Sequence, residues 1–169
     1  METETFEKAA VMHRDRVHAY AFMMLRNADS ARDIAQEALV RLWQNWDKVD
    51  APMTRAWLMR TAHNLCIDQI RKARVRSEDN DETTLAMQHD RAPDPAQLAE
   101  SGVLGRKIKD SLARLTPEDR AVVVMREVQG LPYGEIARVL DLPLGTLKAR
   151  LHRARERLRA QLTQIGVTP

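Results

Sequence analysis

The chain has 169 residues, 30% of them charged and 4% aromatic, and its formal net charge is only +3. This length allows one ordinary domain or two small ones, and the abundance of Ala, Leu, Arg and Glu favours an all-α protein. Because the net charge is small, any binding of nucleic acid must depend on how the charges are distributed along the chain.

Several classes of protein are excluded by what the sequence lacks. The single cysteine, Cys66, rules out an intrachain disulfide and fits a reducing compartment. The acidic start METETFEKAA is unlike a secretory signal, and no apolar run approaches the roughly 20 residues that span a bilayer. We therefore expect a cytoplasmic protein without membrane insertion. Zinc spacings, phosphate loops and hydrolase motifs are missing, so we expect no metal, no cofactor, no catalytic residue and no enzymatic activity.

The composition changes twice along the chain. Residues 5–76 have helical periodicity and end in a basic cluster, whereas residues 77–100 carry seven acidic residues against one Arg, with two prolines. Such a stretch is typical of a flexible linker. Periodic helices resume at about residue 96. We predict two small helical domains, residues 1–76 and 96–169, joined by a flexible acidic linker at 77–95.

In the first block, NADSARDIAQEALVRLWQNW predicts a helix capped by Asn27 or Asp29. One broad arc of this helix is predicted to be core: Ile34, Ala35, Ala38, Leu39, Leu42 and Trp43. The opposite arc is acidic and amide-rich with one apolar residue inside it: Asp33, Gln36, Glu37, Val40 and Gln44. Such a face could dock a basic partner, and a merely solvated helix surface is the alternative.

The next helix, TRAWLMRTAHNLCIDQIRKAR, has an apolar arc that includes Cys66 as a small buried hydrophobe. Its other arc combines an aromatic residue with basic and amide groups: Trp57, Arg60, Thr61, Asn64 and Arg71. Single-stranded nucleic acid needs a stacking surface, backbone charges and partners for base edges, and this arc offers all three. The alternative is that Trp57 lies at a helix start and tucks under a loop.

The second block has clear helix signals. In LTPEDR, Thr116 is placed as an N-cap, Pro117 at the first helical position and Asp119 at the third. The apolar run AVVVMREV follows and is predicted to be a buried helix. Gly130 and Pro132 then end it.

A helix-turn-helix is predicted next. YGEIARVL forms a short helix with Ile136, Ala137 and Leu140 facing inward, and DLPLG interrupts it before a basic helix. Asp141 takes the turn position where Gly is commonest, and Asp tolerates the left-handed conformation better than most residues.

The basic helix LGTLKARLHRARERLRA has three faces at 100° per residue. The inward stripe consists of Leu147, Leu151, Ala154 and Leu158. The outward face, which in a helix-turn-helix enters the major groove, consists of Lys148, Ala149, His152, Arg153 and Glu156. The flanks, where phosphates would run, carry Arg150, Arg155, Arg157 and Arg159. A solvated basic surface is the alternative.

Three stretches, DSARDIAQEALVRLW, RAWLMRTAHNLCIDQIRKAR and LPYGEIARVLDLPLGTLKARLHRARERL, together resemble the bacterial RNA polymerase sigma factors of the extracytoplasmic-function (ECF) group of the sigma-70 family. The resemblance implies a two-domain subunit without catalysis of its own. Such a subunit binds core RNA polymerase, directs it to promoter DNA and helps to open the duplex. Many members are held inactive by an anti-sigma factor, which is therefore a possible partner.

The resemblance also implies roles for particular residues. Docking on a coiled coil of the largest polymerase subunit is implied for Asp33, Gln36, Glu37, Val40 and Trp43. Recognition and melting of the −10 element is implied for the loop and helix at about 47–72, with Trp57 at the position that wedges the duplex apart in larger sigma factors. Contacts with the −35 element are implied for Lys148, Ala149, His152 and Arg153, where Ala149 replaces a frequent Ser.

Two other interpretations remain open. One is a self-sufficient helix-turn-helix repressor or activator, which needs no polymerase and typically binds a palindromic site. The other is a helical interaction module whose basic helix binds an acidic protein.

Overall fold

The computed structural model describes residues 5–79 and 95–167, the side chains of residues 95–101 excepted. Within these ranges the chain is helical and no strand occurs, which confirms the all-α expectation. The helices are α1 (Phe6–Leu25), α2 (Ala28–Gln44), α3 (Thr54–Asp79), α4 (Pro95–Arg114), α5 (Pro117–Val123), α6 (Tyr133–Leu140) and α7 (Leu144–Gln164). None of the helices in the described ranges combines the length and apolarity needed to cross a membrane.

The first unit consists of α1, α2 and α3 packed on one another. Its helix starts follow local signals, because Asn27 accepts a hydrogen bond from the Ser30 amide at 3.0 Å and so caps α2. Two short 3₁₀ turns, Trp46–Lys48 and Ala51–Met53, lead from α2 into α3. The largest side chains fully buried between these helices are Val17, Tyr20, Met24, Leu42, Leu58 and Met59. Cys66 is buried as predicted, and burial raises the pKa of its thiol to about 12.

Trp43 departs from the predicted core arc of α2. Ile34, Ala35, Ala38 and Leu42 are buried, whereas Trp43 is 61% exposed. It lies in the last turn of α2, where Phe6 of α1 meets it edge to face with ring centroids 5.1 Å apart. The core prediction for Trp43 is therefore wrong, because the first turn of α1 covers only one side of the indole.

The second unit consists of α4 to α7. Thr116 caps α5 by accepting a hydrogen bond from the Asp119 amide at 3.2 Å, as predicted. The run from 121 to 125 is buried, and α5 continues into a π-helical turn, Val124–Val128, in which Gln129 bonds to the carbonyl of Val124. A π turn inserts an extra residue per turn, so it shifts the phase of everything after it.

Helix α6 is rotated relative to its predicted inward face. Ile136 is fully buried as expected, but Ala137 and Leu140 are only half-buried. Val139 and the carboxylate residue Glu135 are buried instead. The reason is that α6 packs on α3 of the first unit as well as on α7, so two directions of burial compete.

The two units share one continuous hydrophobic core. Polar contacts also cross between them: Arg26 pairs with Asp110 at 2.5 Å, and the Arg55 guanidinium pairs with Glu135. Of the predicted linker, residues 77–79 belong to α3 and residue 95 begins α4. The remainder of that linker lies outside the described residues.

A buried tyrosine–histidine pair joins α1 to α3. The Tyr20 hydroxyl and His63 Nδ1 are 2.8 Å apart, and Tyr20 is fully buried. Burial lowers the pKa of His63 to about 4, with Glu118 of α5 opposing the shift. His63 is therefore neutral in the folded chain at neutral pH.

This pair predicts a pH dependence of stability. In the unfolded chain His63 has a pKa of about 6.5, so between about pH 6.5 and 4 the unfolded state binds the extra proton. The free energy of unfolding should be fully retained above pH 6.5 and should fall as the pH drops toward 4, by up to about 3 kcal/mol. The free energy of unfolding, measured by urea denaturation at several pH values, should depend less steeply on pH in His63→Gln than in the unchanged chain. The exposed His152→Gln is the control. The prediction is contradicted if the free energy of unfolding depends equally steeply on pH in both variants.

Within the second unit, an ion pair holds α7 on α5. Arg157 donates to Asp119, whose side chain is only 9% exposed, whereas the Arg157 side chain is 58% exposed. Loss of the guanidinium leaves a nearly buried carboxylate without its cation, which is more costly than loss of a surface pair.

We predict that Arg157→Ala lowers the free energy of unfolding by about 1 kcal/mol. Arg159→Ala, also on α7 and without an ion-pair partner among the described residues, should change it by less than about 0.5 kcal/mol. Chemical denaturation measures both. A larger loss for Arg159→Ala than for Arg157→Ala would refute the structural role of the pair.

Candidate functional site

The turn between α6 and α7 has the geometry of a helix-turn-helix. Asp141 ends α6 in the left-handed conformation, with φ 53° and ψ 52°, as its turn position predicts. The Leu142 amide then bonds back to the carbonyl of Ala137 at 2.9 Å, which closes the end of α6. Helix α7 begins only three residues after Asp141, so the two helices are rigidly connected.

Helix α7 divides into a buried stripe and an exposed basic face, as predicted. Leu147, Leu151 and Ala154 are at most 2% exposed, and they pack α7 against the preceding helices. The residues predicted to contact base edges are all exposed and share one face: Lys148, Ala149, His152 and Arg153. On this face His152 lies 3.3 Å from Glu156, one turn further on. The structure thus brings the predicted reading residues together at one surface.

The flanking arginines do not form a uniform set. Arg155 pairs with Glu127 and Arg157 pairs with Asp119, so both predicted phosphate contacts already hold a carboxylate within the second unit. Arg150 is half-buried and has no ion-pair partner in the part of the chain that the structure describes. Periodicity predicts which way a side chain points but does not reveal a carboxylate brought beside it by another helix.

Two residues next to the α7 face were missed by the sequence analysis. The Arg126 guanidinium lies over the ring of Tyr133 at 4.2 Å, and the Lys148 ammonium lies 6.0 Å from the same ring. Arg126 belongs to the π-helical turn, whose extra residue moves it off the regular helical phase. No 3.6-residue pattern could have assigned Arg126 to this surface.

The predicted single-strand face lies on the first half of α3. Arg60 and Asn64 are exposed, whereas Trp57 is half-buried and packs on the core. Thr61 donates its hydroxyl hydrogen to the Trp57 carbonyl at 2.9 Å. Arg71 is exposed on the same helix, but it is 14 residues beyond Trp57, which is about 21 Å along the axis. Arg71 therefore does not share a compact site with Trp57.

The outer surface of α2 carries the predicted docking face. Its five residues are all exposed: Asp33, Gln36, Glu37, Val40 and Trp43. Gln36, Val40 and Trp43 line an apolar groove of about 690 Å³ between α1 and α2. Asp33 and Glu37 instead line a cleft of about 1220 Å³ between the two units, and Glu37 pairs with Arg41 at 2.8 Å.

Comparison with known proteins agrees with this architecture. Sigma-70 region 2 matches residues 10–76, and Sigma-70 region 4 matches residues 105–158. The chain is 33% identical to the ECF RNA polymerase sigma factor SigW of Bacillus subtilis, covering 97% of this chain and 92% of that protein. It is 36% identical to SigL of Mycobacterium tuberculosis, covering 96% and 88%. SigE of Mycolicibacterium smegmatis is 32% identical, and the chain spans 62% of its length.

Solved structures show the same arrangement of helices. The sigma factor RpoE, in its co-crystal structure with the anti-sigma factor NepR from Bartonella quintana, superposes with a TM-score of 0.79 at 25% identity, covering 94% of this chain and 96% of that one. CnrH, in complex with the cytosolic domain of CnrY, has a TM-score of 0.68 at 24% identity and supports the fold alone. The chain therefore belongs to the ECF group of the sigma-70 family, the sigma factors that serve promoter-specific initiation of transcription.

Proposed function

We propose that this chain binds core RNA polymerase through α2, recognises and melts the −10 element through α3, and reads the −35 element through α7. Residues 1–76 and 96–169 would be the two working domains, and residues 77–95 the connection between them. The observation that carries the proposal is the division of α7 into a buried stripe and an exposed basic face behind a tight turn at Asp141. Because its partner would be bacterial polymerase, we place the chain in the cytoplasm, without catalytic activity of its own.

The proposed −35 reader is supported by which cations stay available on α7. Lys148 and Arg153 are exposed and hold no carboxylate among the described residues, so they can donate to base edges in the major groove. Ala149 offers a methyl contact and no hydrogen bond. Arg155 and Arg157 would serve phosphates only by sharing the guanidinium with Glu127 or Asp119, which favours a role in positioning α7.

The proposed −10 reader is supported by the exposure of Arg60 and Asn64 beside a half-buried indole. Opening the duplex costs about 1.4 kcal/mol per base-pair step, and stacking of an unpaired base on an aromatic ring returns about 1–3 kcal/mol. Trp57 presents only part of its ring, and the neighbouring position holds the buried Leu58. We therefore propose that the Trp57 side chain acts as a wedge at the duplex edge and not as a stacking platform for several bases.

The proposed polymerase face combines charge with an apolar groove. Asp33 and Glu37 supply negative charge for a basic partner, while Val40 and the indole of Trp43 supply apolar area beside them. This mixture suits a partner helix that lays apolar side chains into the groove and basic ones along its edge. An anti-sigma factor is a further partner of the class that RpoE of Bartonella quintana binds.

The proposal as a whole is tested by run-off transcription with the purified chain and sigma-free core enzyme on a library of promoters. Start-site selection that requires both components supports it. Sequence-specific gel shifts that occur equally well without core enzyme would favour a self-sufficient repressor or activator instead.

We predict that Arg153→Ala lowers promoter-directed transcription by about 5- to 150-fold, the range for loss of one good base contact. Binding to core polymerase should be unchanged, because Arg153 lies on α7 and away from α2. Run-off yield and competition for core enzyme measure the two properties. Arg106→Ala, exposed on α4 and outside the proposed DNA-reading face, is the control with the same loss of charge. Impaired core binding by Arg153→Ala would count against the assignment.

The polymerase face gives the converse prediction. Asp33→Arg combined with Glu37→Arg should weaken competition for core enzyme by at least about tenfold, because two attractive charges become repulsive. The loss should be greatest at low salt. Glu78→Arg with Asp79→Arg, exposed on α3, is the control with the same change of charge. If the α2 variant competes for core enzyme as well as the unchanged chain does, this face is excluded as the polymerase-binding surface.

A further inference from the structure

The cleft between the two units is lined by more cations than carboxylates and has a volume of about 1220 Å³. Its cationic side chains are Arg26, Lys72, Arg74, Arg76, Arg114 and Arg120. Its carboxylates are Asp33, Glu37, Asp68 and Glu78. We propose that this cleft binds the di- or triphosphate group of a nucleoside polyphosphate, held by arginines of α3 and α4. Such binding is separate from the proposed sigma-factor function, because it requires neither polymerase nor promoter DNA.

The carboxylates of α2 and the arginines lie at opposite ends of the cleft. Because short turns join α2 to α3, the two helices run antiparallel, and Gln69 donates to the Ser30 hydroxyl at 2.9 Å to fix their register. From this bond Glu37 lies toward the start of α3, whereas Arg74 lies toward its end. The two are separated by about 18 Å along the helix axes. Among the described carboxylates that line the cleft, Glu78 alone lies beyond Arg74 on α3, so the arginine end is predominantly positive.

Arginines from separate elements lie close enough at this end to repel one another. Arg26 follows α1, Arg74 belongs to α3 and Arg120 belongs to α5. Burial lowers the pKa of the Arg120 guanidinium, and the positive charges of Arg26 and Arg74 lower it further, while Tyr20 and Glu118 partly oppose the shift. Such crowding of like charges is unfavourable, and a ligand with several negative charges would relieve it.

The arginines of the cleft differ in whether they can donate to a ligand. Arg120 already donates to backbone carbonyls at the ends of α1 and α4, and Arg26 pairs with Asp110 at 2.5 Å. Arg74 and Arg114 are exposed and hold no carboxylate among the described residues. Because they belong to different units, they can hold a phosphate chain from two sides. Each guanidinium can bind two phosphate oxygens at once.

The remainder of the cleft suits a nucleoside attached to the phosphates. A phosphate chain fills only a small part of a cleft of about 1220 Å³. Leu25, Leu65 and Ile70 line the cleft and are half-buried, so each still presents apolar surface. Leu25 precedes Arg26, and Ile70 lies one turn before Arg74. Apolar walls beside a few well-placed polar groups are typical of small-molecule sites, which favours a nucleoside polyphosphate over a bare phosphate chain.

The site is tested by isothermal titration calorimetry of the full-length chain without polymerase or DNA. The probes are ATP, inorganic pyrophosphate and adenosine, in buffer of low salt without divalent metal. Each is titrated into the unchanged chain, Arg74→Ala, Arg114→Ala and the variant with both substitutions. Arg106→Ala, exposed on α4 and not among the residues that line the cleft, is the control with the same loss of charge.

We expect ATP to bind the unchanged chain more tightly than pyrophosphate does, and adenosine to bind more weakly than either. Each single substitution should weaken ATP binding by about tenfold, because it removes a charge-assisted hydrogen bond, and the two together by about a hundredfold. Arg106→Ala should bind ATP as the unchanged chain does. Added salt should weaken the binding, and ATP should raise the Tm of the unchanged chain more than that of the double variant.

The proposal is overturned if ATP does not bind the unchanged chain, or if Arg106→Ala weakens ATP binding as much as Arg74→Ala and Arg114→Ala do. Adenosine that binds as tightly as ATP would overturn the phosphate site, and pyrophosphate that binds as tightly as ATP would overturn the nucleoside part. Denaturation curves verify that the variants, which replace exposed side chains, fold as the unchanged chain does.

A nucleic-acid surface is the competing explanation for the arginines. Duplex DNA of random sequence is therefore added to the unchanged chain loaded with ATP. The nucleotide site is overturned if this DNA displaces ATP and the two substitutions weaken binding of DNA as much as binding of ATP. Failure of run-off transcription would remove the proposed sigma-factor function and leave these titrations unaffected.

Discussion

The position of Arg120 determines how the helices of both units meet. The last carbonyls of a helix have no partner within it, and Arg120 donates to those of Leu112, Ala113 and Leu115 at 3.0–3.1 Å around the end of α4. A half-buried guanidinium is tolerated only when its donors are used, and here a further one goes to the carbonyl of Met24. One side chain on α5 thereby fixes the ends of α4 and α1 at a common point.

The position of α5 in turn determines the orientation of α7, the proposed −35 reader. With α5 fixed, α7 packs its apolar stripe on α5 and α6, and the Asp119–Arg157 pair holds its second half. The opposite face of α7 must then face solvent, and Lys148 and Arg153 lie on it. A chain with a net charge of only +3 can present a basic surface because some of its arginines are neutralised internally while others are left exposed.

The features that could be predicted from the sequence depend on neighbours in the chain. The caps at Asn27 and Thr116, the left-handed residue Asp141 and the apolar stripe of α7 each require only a few consecutive residues. Features that depend on another helix were missed. Trp43 is exposed because α1 covers it on one side only, and Arg155 has a partner because Glu127 lies on a π turn that periodicity cannot place. The buried Glu135 is explained only by Arg55, 80 residues away.

The two units meet through a shared apolar core and a few polar pairs that cross between them. Arg55 is partly solvated, so its ion pair with Glu135 adds specificity at modest strength. The shared apolar core supplies most of the adhesion between the two units. Apolar burial therefore sets how firmly the two units adhere, and the buried carboxylate of Glu135 favours the one pairing of surfaces that supplies it with a cation.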